Sequence, residues 1–287
     1  MIMNMEQEPQ YKDIAYQNES ASQKLDIYLP NKEQSAWPAL IYIHGGGFMF
    51  GDKQDSHLKP YLQALEHGFA VVSVEYRLSK EAIFPAAVLD VRNAVRYVRK
   101  HAAEYHLDAT RLIAIGGSAG GNLAAMLGMN VPNGEFPGEE GMNFEENPYV
   151  AVAIDQFGPM NFATMDAQAR ENGISDCIHD EANSPESMYI GGEIQSNLDL
   201  VRKANPATYI SENTAPFLIF HGTKDVMVPF MQSVVFAGEL LEKVNPNSVE
   251  FIPVADAGHD DPKIFTEENM NQIYSFIQKH TATLSQK

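Results

Sequence analysis

The chain has 287 residues, 44% of them hydrophobic, which suits one large globular α/β domain with insertions. No window approaches the roughly 18 to 20 continuous apolar residues of a membrane-spanning helix, and a net charge of −18 opposes phosphate backbones and anionic lipid surfaces, so neither nucleic acid nor membrane is an expected partner. A single cysteine, Cys177, excludes an internal disulfide and fits a reducing compartment.

Met1–Asp13 is polar and acidic, without the basic start and apolar run of a secretory leader, so the expected location is cytoplasmic. Leu25, Ile27 and Leu29 then alternate as in a strand, and Ala39 to Ile43 is a short, fully apolar strand. Leu58 to His67 reads as a helix and Ala70 to Tyr76 as a strand. Ala86 to Tyr105 has helical spacing at Val88, Val91, Val95 and Val98. Strand Arg111–Ile115 precedes a helical stretch, Asn122 to Met129, and strand Val150–Ile154 follows. Strand Phe217–Phe220, helix Phe230–Val244, strand Val249–Val254 and helix Ile264–Lys279 complete the alternation. Such βα units predict an α/β fold with a mostly parallel central sheet flanked by helices.

Two segments break this rhythm. Residues 131–148 are rich in Gly, Pro, Asn and Glu and read as an acidic surface loop. Residues 158–214 are far longer than an ordinary crossover and have no strand alternation of their own, so they read as an inserted cap within one domain spanning 1–287. Charge is uneven: residues 1–118 carry 12 basic and 14 acidic groups, residues 119–287 carry 8 and 24. Between 133 and 199 there are 14 acids and one base, Arg170. A solvated face is the first reading of that stretch. A lid that disfavours anionic substrates is the second. The acids lack the spacing of a calcium-binding loop, and no metal site is expected.

The residues that carry chemistry lie at strand ends. Gly116-Gly117-Ser118-Ala119-Gly120 joins a strand to a helix, and small neighbours let a tight turn raise the Ser118 hydroxyl at the strand's carboxyl end. Acyl transfer from such a hydroxyl needs a base, a group that orients the base, and donors for an oxyanion. His259, after the last strand, is the candidate base; the other eight histidines read as surface or packing residues. Asp225, after strand Phe217–Phe220, is the candidate orienting acid, although a turn aspartate before Val228-Pro229 is its plain alternative. Its rivals are Asp155, Asp256, Asp260 and Asp261, and Asp155, which follows the strand before the cap, is the serious one. Asp260 and Asp261 are sequence neighbours of the base and read as helix caps. His44-Gly45-Gly46-Gly47 follows a buried strand, and consecutive glycines can aim N–H groups into a site. Gly46, Gly47 and Ala119 are the expected oxyanion donors, with His44 bracing the loop. Phe48, Phe50, Phe157 and Met160 border these loops and are candidate substrate-pocket walls, against the commoner reading as core.

These motifs resemble the hormone-sensitive-lipase-like branch of the α/β-hydrolases. The likeness rests on His44-Gly45-Gly46-Gly47, on Glu75-Tyr76-Arg77-Leu78 followed by Phe84-Pro85-Ala86-Ala87, on the elbow around Ser118, and on Asp225 and His259 in their loops. It spans roughly residues 23–280. Ser184-Pro185-Glu186-Ser187, Asn205-Pro206 and His221-Gly222 with Val228-Pro229 look closest to bacterial acetyl and feruloyl esterases acting on carbohydrate esters. The resemblance implies an α/β-hydrolase fold, cofactor-free hydrolysis of short-chain carboxylic esters by a Ser–His–Asp triad, and the oxyanion donors named above. It also marks Arg77 and Asp90 as a fold-supporting ion pair. The segment before Leu25 is too short for the helical cap of many relatives, so the lid is expected from 158–214. An arylformamidase or amidase uses the same triad, and a binding protein can keep the fold without the chemistry; both stay open, as does the oligomeric state, a homodimer included.

Overall fold

In the computed structural model, which describes residues 7–32, 34, 36–139 and 143–282, eight strands form one sheet. In chain order they are β1 (Tyr11–Ala15), β2 (Lys24–Tyr28), β3 (Trp37–Ile43), β4 (Ala70–Val74), β5 (Leu107–Gly117), β6 (Val152–Gln156), β7 (Phe217–Gly222) and β8 (Val249–Val254). Across the sheet the order is β1-β2-β4-β3-β5-β6-β7-β8. Only the β1–β2 and β2–β4 pairs are antiparallel; from β4 to β8 every pair is parallel.

The helices are α1 (Lys59–Leu62), α2 (Ala86–Lys100), α3 (Ala119–Gly128), α4 (Met165–Glu171), α5 (Pro185–Ile190), α6 (Leu198–Ala204), α7 (Met231–Lys243) and α8 (Glu267–Thr281). They split the core in two. Ile41, Ile43, Val72 and Ala114 point to the face covered by α2, α3 and α7, where Val88, Val91, Val95 and Val98 are fully buried. Their strand neighbours Leu40, Tyr42, Val71 and Ile113 point to the opposite face, covered by α1 and α8. Alternation by two along each strand therefore feeds two cores, and a sheet buried on both sides reads as continuous apolar runs.

Some boundaries differ from the sequence reading. The expected helix over Leu58–His67 is instead a 3-10 turn, the single α turn α1 with Pro60 near its start, and a second 3-10 turn. Helix α2 stops at Lys100 rather than Tyr105, and His106 takes a positive φ of 57° that redirects the chain into β5. Strand β1 was not expected; its half-exposed edge position leaves little apolar alternation to read.

Residues 158–214, between β6 and β7, hold the short helices α4, α5 and α6 and, among the described residues, no strand. Acidic residues of the 133–199 stretch are not all solvated: Glu139, Asp155, Asp166 and Glu186 are buried. Glu139, in the 131–148 loop, accepts hydrogen bonds from Arg92 and Arg96 of α2, both also buried, which ties the loop to the core. Positions 140–142 of that loop and 1–6 of the N-terminal segment lie outside the described residues.

Candidate active site

Strand β5 ends in a turn that the local sequence makes feasible. Ser118 sits at the N-cap of α3 with φ 56° and ψ −125°, a conformation that non-glycine residues rarely take. Its N–H donates to the Gln156 carbonyl at 2.9 Å, which ties the turn to β6. A Cβ on Gly116 would stand 2.6 Å from the Ile43 carbonyl oxygen, and one on Gly117 would stand 2.8 Å from the Phe157 ring. The glycines let β3, β6 and α3 converge under the serine.

Three chain segments meet at its hydroxyl. His259 Nε2 lies 3.0 Å from Ser118 Oγ, and His259 Nδ1 lies 2.7 Å from Asp225 Oδ2. A carboxylate only accepts, so Nδ1–H donates to Asp225 and Nε2 is left to accept from the serine hydroxyl. Phe157 supports the imidazole edge-on, with ring centroids 4.9 Å apart. Asp225 is buried, which raises its pKa, but donors from His221 and His259 outweigh that and hold its carboxyl well below the usual carboxylate range. Its Oδ1 also accepts from the N–H groups of Met227 and Val228, both at 2.9 Å. The turn reading and the contact with His259 thus hold together.

Asp155, the rival acid, is elsewhere. Its Oδ1 accepts from Gly158 N–H at 2.9 Å beneath α3, and its Oδ2 has no hydrogen-bond partner among the described residues. Burial pushes its pKa up to about 7.

The glycine loop lies against the elbow: a Cβ on Gly45 would stand 3.4 Å from Ser118 Cβ. Gly46 and Gly47 both have positive φ, 104° and 59°. The N–H groups of Gly46, Gly47 and Ala119 donate to no other described residue. His44 is fully buried and braces the loop, with Nδ1 at 2.8 Å from Gly45 O, Nε2 at 3.2 Å from Glu75 Oε1, and its ring stacked on Tyr76. Further from the serine, Arg77 grips Asp90 through Nε and Nη2 at 2.8–3.2 Å.

Ser118 and His259 open into a cleft of about 440 Å³. Gly46, Gly47, Phe50 and Phe157 line it. Phe48 and Met160 do not: Phe48 stacks on Tyr189 at 3.9 Å within the core, and Met160 is buried in the same core. Pro185 of α5 does line it, so the 158–214 insertion contributes to the cleft. Among the described residues, no group of His, Cys, Asp and Glu is arranged to hold a metal ion, and no helix is long and apolar enough to cross a membrane.

A family model described as BD-FAE matches residues 25–240, three quarters of the chain. The chain belongs to the BD-FAE family. The chain is 28% identical over 232 residues to the probable carboxylic ester hydrolase LipM of Mycobacterium tuberculosis, covering 79% of this chain and 51% of that protein. It is 28% identical over 258 residues to esterase LipQ of the same organism, covering 87% and 57%. The BD-FAE chain thus spans about half the length of the curated relatives it matches. Among solved structures it is similar to a truncated carbohydrate esterase from gut microbiota, with TM-score 0.81, 29% identity, and coverage of 94% of this chain and 95% of that one. It is also similar to a bifunctional GH43-CE of Bacteroides eggerthii, with TM-score 0.80, 32% identity, and coverage of 93% and 35%. The fold is the α/β-hydrolase fold.

Several cleft residues of this BD-FAE chain had no sequence signal. Asp260 was expected to cap a helix. Instead it pairs with His57 at 3.0 Å at the cleft, while Asp261 caps the turn at Lys263 and Thr266 caps α8. Tyr61 and Met227 line the cleft from separate segments. His221, read as a packing residue, contacts Asp225 at 3.2 Å. An apolar strand ending in His-Gly was the one available hint, and it does not say which way the imidazole faces.

Proposed function

We propose that the chain is a serine carboxylesterase acting on short-chain acyl esters, with acetyl esters of carbohydrates as the substrate class. The reading rests on one observation above the others: the hydrogen-bond chain from Ser118 through His259 to Asp225, opening into the cleft. Ser118 Oγ attacks the ester carbonyl while His259 Nε2 takes its proton. Asp225 stabilises the imidazolium that forms. N–H groups of Gly46, Gly47 and Ala119 receive the oxyanion, each worth roughly 3 kcal/mol of transition-state stabilisation. His259 then returns the proton to the leaving alcohol, and water, deprotonated by the same imidazole, releases the acid. The insertion over 158–214 acts as the cap.

The carbohydrate class is supported by similarity to a carbohydrate esterase over nearly the whole chain, and by Asp55, His57 and Asp260 at the cleft, groups suited to hydrogen-bonding hydroxyls. The test is Ser118→Ala, assayed with p-nitrophenyl esters from acetate to octanoate, acetylated xylo-oligosaccharides and N-formylkynurenine. Ester turnover should fall by several orders of magnitude, and fluorophosphonate labelling should vanish. The wild type should prefer acetate and acetylated sugars. Near-normal turnover in the alanine variant defeats the reading, and faster N-formylkynurenine cleavage replaces it with an arylformamidase.

A further inference from the structure

Behind Asp225 the hydrogen-bond chain continues inward. His221, in β7, and Ser233, in α7, are both fully buried. His221 Nδ1 lies 2.7 Å from Ser233 Oγ. His221 Nε2 lies 3.0 Å from the Val228 carbonyl oxygen and 3.2 Å from Asp225 Oδ2. Two acceptors face Nε2, so Nε2 carries the proton and shares it between them. In the neutral ring Nδ1 is then an acceptor, and the Ser233 hydroxyl donates to it. The tautomer is fixed by the two acceptors at Nε2, and the hydroxyl turns to suit it.

Asp225 itself is gripped unequally. Oδ1 is pinned by the N–H groups of Met227 and Val228, whereas Oδ2, among the described residues, meets only the imidazoles of His221 and His259. A carboxylate held at one oxygen can still turn about Cβ–Cγ. A second donor at the other oxygen removes that freedom.

We infer that His221 is a positioning residue: its Nε2–H, shared with the Val228 carbonyl, holds Asp225 Oδ2 where it meets His259 Nδ1. The inference rests on the esterase reading for its effect on rate. Its structural half, the His221–Asp225–His259 contact, is readable without turnover.

Four variants test it: His221→Gln, which keeps a donor near the Nε2 position, His221→Leu, which removes it, Ser233→Ala, which removes the partner at Nδ1 but leaves both acceptors at Nε2, and Ser118→Ala as the control for the esterase reading. The assays are p-nitrophenyl acetate kinetics and the downfield proton resonance of His259 Nδ1–H. Losing a hydrogen bond to a buried charge should lower kcat about tenfold or more in the leucine variant with KM unchanged, while the glutamine variant stays within about threefold. The resonance should move in the leucine variant and stay put in the glutamine and Ser233→Ala variants. Should the leucine variant fail to fold, His221→Asn, whose shorter amide reaches only the Nδ1 position, carries the same test through the resonance. A resonance unmoved in a folded variant that lacks the Nε2 donor overturns the inference, as does a glutamine variant as impaired as the leucine one. Retained turnover in Ser118→Ala is a different failure: it ends the esterase reading and leaves the resonance to decide the contact.

Discussion

Gly120, in the first turn of α3, packs so closely on β3 that a Cβ there would overlap the carbonyl oxygen of Ile43 and stand 2.8 Å from that of His44. Both obstacles are backbone, one of them at the start of the glycine loop. The elbow and that loop are therefore in register because this position has no side chain.

Gly120→Ala should accordingly displace α3 from β3. Overpacking of this kind costs about 3 kcal/mol or more, or a fall in Tm of roughly 5 °C or more for a domain of this size. On the proposed function, ester turnover and fluorophosphonate labelling should drop together, since the displaced turn carries Ser118. Thermal melts alongside labelling check this; an alanine variant with unchanged Tm and labelling contradicts it.

Arg77 and Asp90 provide a stability element away from the serine. Asp90 is fully buried and accepts from the Arg77 backbone N–H, from its guanidinium, and from Gln23 Nε2 at 2.8 Å. Removing the carboxylate by Asp90→Ala leaves a partly buried guanidinium and a buried amide without their acceptor. Breaking a buried pair from one side costs about 3 kcal/mol. The expected outcome is a lowered urea midpoint with kcat at 25 °C within about twofold of wild type, because the change lies in ground-state stability. A large loss of kcat in folded protein argues for a direct role instead.

Asp155 makes stability depend on pH. Its carboxyl is held protonated by burial up to about pH 7, whereas in the unfolded chain it ionises near the ordinary carboxylate value of 3.8. Between those two values the folded state binds the extra proton, so this group's contribution to stability is greatest below pH 4 and is lost as pH rises toward 7. Asp155→Asn keeps an acceptor for Gly158 N–H and cannot ionise. Its Tm advantage over wild type should grow from pH 4 to pH 7 and level off above, as followed by thermal melts across that range. A constant difference at all pH values contradicts the assignment.

Much of the site was legible as a set of positions. Ser118, Asp225 and His259 each follow an apolar strand in a short loop, and a parallel sheet places all such loops at one edge. Orientation was less legible. Phe48 and Phe50 stand two apart in one loop, yet Phe48, at φ 59°, turns into the core against Tyr189 while Phe50 is 61% exposed at the cleft. Asp260 and Asp261 are chemically identical neighbours, yet Asp260, at φ 53°, pairs with His57 while Asp261 caps the following turn. Neither difference has a local sequence cause.

Read without coordinates, the chain already contained the alternation of strands and helices, the parallel sheet it implies, the glycines at the two tight turns, and the candidate nucleophile, base and acid. These follow from periodicity, turn chemistry and side-chain chemistry, which act over a few residues at a time. The tertiary structure alone decided that Asp225 rather than Asp155 reaches His259, that His221 and Ser233 stand behind it, and that Pro185 closes on Gly47. Those outcomes depend on distances between segments far apart in the chain, fixed only when two cores pack on opposite faces of one sheet.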